Sequence, residues 1–554
     1  MQSRTKDEQI NKPQSFVKQA ALLASAALLV RVIGFIYKLP LTNMIGDAGQ
    51  GIYAAGYQVY NFLLILSSAG LPAAISKMVS ERIALKQYGN AHRVFRISLA
   101  AAAAAGAFFS ILLWALSAHI ANAVKNPDSQ ATLLTLAPTI FLVAVMSVFR
   151  GYFQGLNNSV PTALSQLVEQ IINAVFSVLL AYYFMKWWDG DVALGAAGGT
   201  AGTGLGALSG LIVMCLVYKL NRPRIYKRIN AQKQQAHEVI RFDGRRKIIV
   251  ELLKTAFPII AGAAIFSFTN LVDMQMVMKR LTEAAGFSDR EALALYGQLS
   301  NKYVSISTLP VAISSAMATA SIPSIAASNV LKQKAAVIKK TNTALRLAMS
   351  VSIPAAAGLF VLPDQILLML FKHYPDGGLL LRIGSISVVF LALAQISTGM
   401  LQGIGKIYVP AIAAAAGVLV KIPINYILLG DPRINVAGAV VGTICCYAVS
   451  SIIDLSSLTK ATGATLDFAG ILIKPALASL FMSLVCYVCY YTLYFYTKAN
   501  TPCVLTAIAA SVFSYGAAML YLGGLRESDI KTMPMGKKAL SLLGKMGLSG
   551  CLKR

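Results

Sequence analysis

The chain is 554 residues long, 56% hydrophobic and only 13% charged, with a mean hydropathy of +0.64. A soluble chain of this size needs a charged surface that these residues cannot supply, so a water-soluble globular protein is excluded and hydrocarbon is the expected surroundings. The net charge of +27 would point to nucleic acid in a soluble module, but the cations fall in short segments between apolar runs rather than on a face interleaved with aromatics, so no nucleic-acid partner is expected.

Apolar runs long enough to cross a core of about 30 Å predict helices over 16–40, 52–78, 95–120, 131–156, 160–185, 193–218, 252–278, 294–325, 343–363, 379–404, 407–429, 435–458, 468–496 and 503–524. The expected class is therefore an all-α polytopic membrane protein of about 14 transmembrane helices. Residues 1–15 are polar, and the first run carries Arg31 and lacks a small-residue cleavage pattern, so it reads as a span and not as a removable signal. Cys486 and Cys489 form a CxxC inside an apolar run without a second pair, and the four histidines lie far apart, so neither a metal site nor a cofactor is expected.

Lysine and arginine set the expected orientation. They crowd the loops after the second, sixth and eighth predicted helices and the C-terminal tail, with the largest cluster at Lys219–Lys254. The remaining loops are sparse in cations and hold Asp47, Asp128, Asp189, Asp191, Asp364 and Asp431. Both termini are then expected on the cytoplasmic side of a bacterial inner membrane, with anionic lipids facing the basic loops. The expected organisation is a cytoplasmic segment 1–15, an N-lobe 16–218, a basic linker 219–251, a C-lobe 252–458, two further helices within 468–524 and a basic tail 525–554.

Internal repetition supports two lobes. Gly151-Tyr152-Phe153-Gln154-Gly155-Leu156 returns as Gly399-Met400-Leu401-Gln402-Gly403-Ile404, each followed by a helix-opening proline, Pro161 or Pro410. The Gly151, Gln154, Gly155 and Gly399, Gln402, Gly403 sets read as a duplicated helix end or hinge. Ser67-Ser68-Ala69 matches Ser314-Ser315-Ala316, and Gly202-Thr203 matches Gly442-Thr443. Six helices per repeat is an even number, so the lobes share orientation; transporters of that build bind substrate between lobes that rock. Ten glycines and alanines within 195–207 suit close helix packing.

Charge inside an apolar run costs about 2.5–3.5 kcal/mol at the bilayer centre and marks function by default. Arg31 lies near the middle of the first predicted helix, and Lys38 follows two turns on, about 10 Å away on nearly the same face. Glu169 and Lys421 sit mid-way along the fifth and eleventh, while Asn270, Asp273 and Lys302 lie in the outer halves of the seventh and eighth. Glu169 and Lys421 are alternatively a closed ion pair between the lobes. Lys77, Arg150, Asp454 and Lys474 fall near predicted ends and read as interface anchors. The set leans cationic, which suits an anionic substrate such as a pyrophosphate-linked head group.

The helix containing Val30-Arg31-Val32-Ile33-Gly34-Phe35, the duplicated GxxQG ends, the 6+6+2 helices and the basic loop between halves resemble the MOP (MATE-like) exporter superfamily. The resemblance covers nearly the whole chain and is nearest to the polysaccharide-transporter branch, that of stage V sporulation protein B-like proteins and MurJ-type lipid II flippases. It implies a V-shaped pair of lobes, alternating access and a lipid-linked saccharide as partner, with the arginine of the family's RxxGF pattern falling on Arg31. It also implies further arginines where this chain has Tyr37 followed by Lys38, and in the second helix, where it reads Tyr60-Asn61-Phe62. The chain is expected to act as a monomer, to be no enzyme, and to flip an undecaprenyl-linked cell-wall precursor; the sequence leaves the driving force open between membrane potential and a coupling ion, H+ or Na+. The competing expectations are a MATE-type drug/cation antiporter and a capsule, O-antigen or teichoic-type exporter.

Overall fold

The computed structural model describes residues 16–235, 243–312, 333–406, 408–463 and 465–524, with 314, 325 and 328 in addition. The N-terminal segment, the tail, part of the basic linker and much of the eighth predicted helix, including Ser315 and Ala316, lie outside the described residues. Among the described residues there is helix and no strand. Two compact units emerge. The first runs to Met278 and includes Asp289–Gly297; the second comprises Lys279–Ser288 and everything from Gln298 onward.

In the first unit, α1 (Phe16–Ile36) runs into α2 (Lys38–Ser68) through the helical hydrogen bonds Tyr37 N to Ile33 O and Leu41 N to Tyr37 O. The helix breaks instead at Gly46, with φ 69° and ψ −177°, a conformation closed to residues carrying a Cβ. Tyr37 and Tyr53 meet hydroxyl to hydroxyl at 3.2 Å although 16 residues apart. A straight helix would hold them about 24 Å apart, so the chain folds back on itself at Gly46. The first two predicted spans are thus arms of one helical hairpin, and residues 41–51, expected as an outside loop, are helical and carry Asp47 and Gln50 buried.

Next come α3 (Leu71–Ala84), α4 (Tyr88–Ala123), α5 (Gln130–Gly155), α6 (Val160–Trp187), α7 (Val192–Gln235) and α8 (Arg245–Glu283). Ile75 and Met78 of α3, Phe95 of α4, Tyr152 and Phe153 of α5 and Ile248 of α8 share one core. The small residues of α7 let it lie against α6 backbone to backbone. A Cβ on Gly198 would stand 2.6 Å from Leu180 O and one on Gly206 2.7 Å from Glu169 O, and one on Gly202 would run into the Ser177 amide. A spacing of four keeps these glycines on one helix face. The short α9 (Asp289–Gly297) crosses α2 just as closely: Cβ atoms on Gly51 and Gly297 would collide with the carbonyls of Leu293 and Asp47.

The second unit holds a π-helical turn, Gln298–Tyr303, continued by helix over 304–312. It is followed by α10 (Lys334–Val361), α11 (Pro363–Leu370), α12 (Gly378–Gly403), α13 (Tyr408–Leu428), α14 (Ala437–Thr462), α15 (Lys474–Thr497, led by a π-turn at Ala469–Ile473) and α16 (Asn500–Tyr521). Leu345 and Met349 of α10, Ile396 and Met400 of α12, Leu458 of α14 and Ile471 form its core. A smaller cluster seats α15 and α16, through Cys486, Tyr490, Cys503 and Val504, beneath Leu362.

Eleven helical spans among the described residues are long and apolar enough to cross a bilayer. Helix α1, helix α8 and the 298–312 run stand where the first, seventh and eighth predicted helices fall. The outer surface carries large apolar side chains such as Trp114, Leu484 and Phe513, as a surface solvated by lipid requires. The chain is a multi-pass all-α membrane protein.

One small device occurs in each unit. Near the start of α4, Asn90 Oδ1 accepts the backbone N–H of Asp243, just before α8. Near the start of α10, Asn342 Oδ1 accepts the N–H of Asp467, just before α15. Each aspartate also takes an arginine of its own unit: Arg82 at 2.9 Å for Asp243, Arg346 at 3.4 Å for Asp467. The helix that follows each six-helix set is clasped at its base in the same way.

Candidate functional site

The polar groups of the first unit lie along α1, α2, α5, α6 and α7. Arg31 is exposed, and Lys38 is half-buried on the same continuous helix. One turn beyond Arg31, Gly34 lets α1 approach α6: a Cβ there would stand 3.2 Å from Gln170 Nε2. The neighbouring Glu169 is half-buried and bonded to Arg150, whose Nη2 reaches Glu169 Oε2 at 2.6 Å while its Nε reaches Ser165 Oγ at 3.0 Å. With side-chain exposures of 14% and 26%, this pair is desolvated enough to be a fixed part of the unit. Glu169 thus has a partner on its own hairpin, where the sequence reading set it against Lys421 of the other repeat and read Arg150 as an anchor. Arg150 stands five residues before the end of α5 and Glu169 nine after the start of α6. That offset of about 6 Å along antiparallel helices is within an arginine's reach, so the pairing was available from the hairpin alone.

Beside the ion pair runs a hydroxyl–amide network. Tyr37 meets Tyr53; Ser177 Oγ donates to Asn173 Oδ1 at 2.9 Å, and Thr203 Oγ1 to the same oxygen at 3.3 Å. Tyr53 stacks on Tyr57 with ring centroids 5.9 Å apart, and Tyr57 tilts against Tyr60. This tyrosine ladder was not picked out as functional from sequence, although its spacing on one helix face was the available signal. Further along the unit, Asn270 is exposed on α8, and Asp273 lies half-buried within electrostatic reach of Tyr296.

In the second unit Lys302 is 1% exposed. Its ammonium donates to Tyr374 O at 2.7 Å and Asp376 O at 2.8 Å, and stands 5.6 Å from the Phe371 ring. Expected as a cavity cation, it is placed by the structure as a buried tie between a π-helical turn and the segment before α12. Lys421 is half-buried on α13, its stem beside Gly442 of α14. Asp454, expected as an anchor, is 2% exposed, its Oδ2 accepting from Thr398 Oγ1 at 3.1 Å. Lys474 reaches Gly523 O at 3.0 Å, and Lys77 is exposed.

The repeated helix ends behave alike. Gly151 and Gly155 press α5 onto α3, with Cβ positions 2.8 Å from Pro72 O and 2.7 Å from Val79 Cβ. Gly399 and Gly403 are buried as well, while Gln154 is half-buried and Gln402 exposed. Left-handed residues, Asn157 and Gly405, end both helices.

The family model described as "Polysaccharide biosynthesis protein" matches residues 16–329, and one described as MatE matches 258–427. The chain belongs to the polysaccharide biosynthesis protein family. It is 26% identical over 541 residues to the uncharacterized membrane protein YabM of Bacillus subtilis (strain 168), covering 96% of this chain and 97% of that one. It is 23% identical over 522 residues to the lipid II flippase MurJ of the same organism, covering 91% and 94%. Among solved structures, a lipid II flippase MurJ in an inward closed conformation superposes with a TM-score of 0.66 at 16% identity, over 90% of this chain and 97% of that chain. The fold is that of the solved MurJ structure and of a solved MATE family transporter of the MOP superfamily.

Proposed function

We propose that the protein flips an undecaprenyl-pyrophosphate-linked saccharide, of the lipid II class, from the cytoplasmic to the outer leaflet by alternating access. The carrying observation is Arg31, a guanidinium left exposed within an apolar helix that stays unbroken to Lys38. An exposed arginine there pairs bidentately with pyrophosphate oxygens, and a lysine two turns on follows as a second cation. The tyrosine ladder, Asn173 and Thr203 supply rings and hydroxyls of the kind that hold sugars. Full-length similarity to a lipid II flippase supports the substrate class. A cation antiporter would need an acidic site, and the carboxylate Glu169 is already held by Arg150.

Complementation of a strain depleted of its lipid II flippase tests this reading. The wild-type chain restores growth, and Arg31→Ala, present in the membrane at normal amount, does not. Full growth with Arg31→Ala removes Arg31 from the mechanism. Failure of the wild type while it restores export of another undecaprenyl-linked saccharide moves the substrate to that one.

A further inference from the structure

Asp454 is a carboxyl group that the capture of a phosphate-linked cargo does not use. It stands eight residues before the end of α14, about 12 Å inside an apolar helix, and is 2% exposed. Thr398 Oγ1 of α12 donates to its Oδ2 at 3.1 Å, while Oδ1 is enclosed and has no hydrogen-bond partner among the described residues. No lysine or arginine of those residues forms an ion pair with it.

The charged groups on the elements packed against α14 are committed, distant or exposed. Arg346 of α10 takes Asp467 and Lys340 takes Ser328 Oγ, while Lys334 and Lys339 are exposed. Arg382 of α12 takes Asp364 and lies sixteen residues, about 24 Å, from Thr398. Lys421 of α13 has its stem beside Gly442, twelve residues or about 18 Å along α14 from Asp454. Tyr408 of α13 and Lys460 of α14 are exposed. An ionised Asp454 is thus a charge in an apolar surround without a counter-ion, the costliest form a buried group can take. With one proton on Oδ1 the charge is gone and the Thr398 bond to Oδ2 is kept.

The first unit gives the contrast. The residue before the first glycine of the repeated helix end is Arg150 there and Thr398 here. Arg150 supplies Glu169 with a permanent cation at the place where Thr398 supplies Asp454 with a hydroxyl. The carboxyl groups come from different helices, α6 and α14, yet each meets the same residue of its repeat. One is fixed as an ion, and the other is left to a counter-charge that can come and go. A proton needs only the one unpartnered oxygen, whereas a hard metal cation takes about six.

We propose that Asp454 is the proton-binding site of a transport cycle. Its Oδ1 takes one proton from water on the outer side, encloses it in the arrangement described here, and returns it to cytoplasmic water as cargo moves outward. The proposal rests on the flippase reading for its cargo and its cycle, but not for the site.

Infrared difference spectra of the purified full-length chain between about pH 5 and about pH 9 read the site without any cargo. A carboxylic-acid band present at acid pH and gone at alkaline pH is expected; Asp454→Asn loses it, and Thr398→Val, which removes the donated hydrogen bond, shifts it. The cycle is read in proteoliposomes with lipid II as probe. An outer side more acidic by about one pH unit raises the outer-to-inner ratio of lipid II about tenfold at one proton per turn. Asp454→Asn loses that response, and a sodium gradient at equal pH leaves the ratio unchanged. Absence of the band, its survival in Asp454→Asn, or a wild-type ratio that ignores the pH gradient overturns the proposal. A wild type that moves no lipid II fails the substrate reading alone: the infrared loss still decides the site, and the gradient is then applied to the undecaprenyl-linked saccharide it does carry. Should Asp454→Asn misfold, Thr398→Val decides, because an unmoved band places the proton elsewhere.

Discussion

An ammonium group carries three donors, and Lys302 satisfies two of them with the carbonyls of Tyr374 and Asp376. Those carbonyls belong to a loop more than 70 residues away, so local sequence gives no hint of the tie. Lys302→Met is expected to strand both carbonyls and to destabilise the chain by about 2–4 kcal/mol, seen as a lower unfolding midpoint in detergent. A variant of unchanged stability that had lost transport would return Lys302 to the substrate path. Arg31 has the opposite character, exposed on the helix where Lys302 is enclosed. The two could not be separated by hydropathy, which scores a charge in an apolar run the same whether it faces a cavity, lipid or a carbonyl cage. Arg150 and Glu169 were separable, because hairpin geometry fixes which residues of neighbouring helices share a depth.

At the scale of elements, the basic linker is held down rather than free where it meets α8. Asp243 binds Arg82, Lys247 and the Asn90 amide oxygen, and Arg82 also takes Glu251 at 2.8 Å and Met78 O at 3.0 Å. Partial burial alone would raise the Asp243 carboxyl, but hydrogen bonds from Lys247 and Arg82 and the Arg82 charge outweigh it and hold the group below its ordinary 3.8. The unfolded linker therefore takes up its proton at higher pH than the clasped one. The clasp contributes fully above about pH 4 and is lost as pH falls through the lower folded value. Limited proteolysis of the linker is expected to accelerate below about pH 4 in the wild type, and to be fast at neutral pH in Asp243→Ala. Equal resistance of that variant at pH 7 would show that the clasp carries no weight. Span positions were legible here because an apolar run of fixed length is what the bilayer demands. Residues 41–51 were not, because Gly46, Asp47 and Gln50 have the composition of a loop and are buried only once the hairpin returns and α9 crosses it.

At the scale of the molecule, the duplicated glycine ends, the paired asparagine clasps and the two cores describe one plan executed twice. The motif repeats were visible in sequence, since each needs identical residues at a fixed place. The clasps were hidden: they share only an asparagine and an aspartate, with arginines arriving from different helices, Arg82 from α3 and Arg346 from α10. The glycine face of α7 has a mechanical meaning. Its backbone touches α6 over successive turns, and Thr200 meets Thr135 of α5 at 2.8 Å. Helices bound that tightly cannot slide or roll singly, so whatever stroke drives cargo must carry α5, α6 and α7 as a single beam. A covalent staple across the beam is then silent: oxidised Thr135→Cys with Thr200→Cys should transport as fast as the reduced protein. Reversible arrest on oxidation would mean that the beam bends.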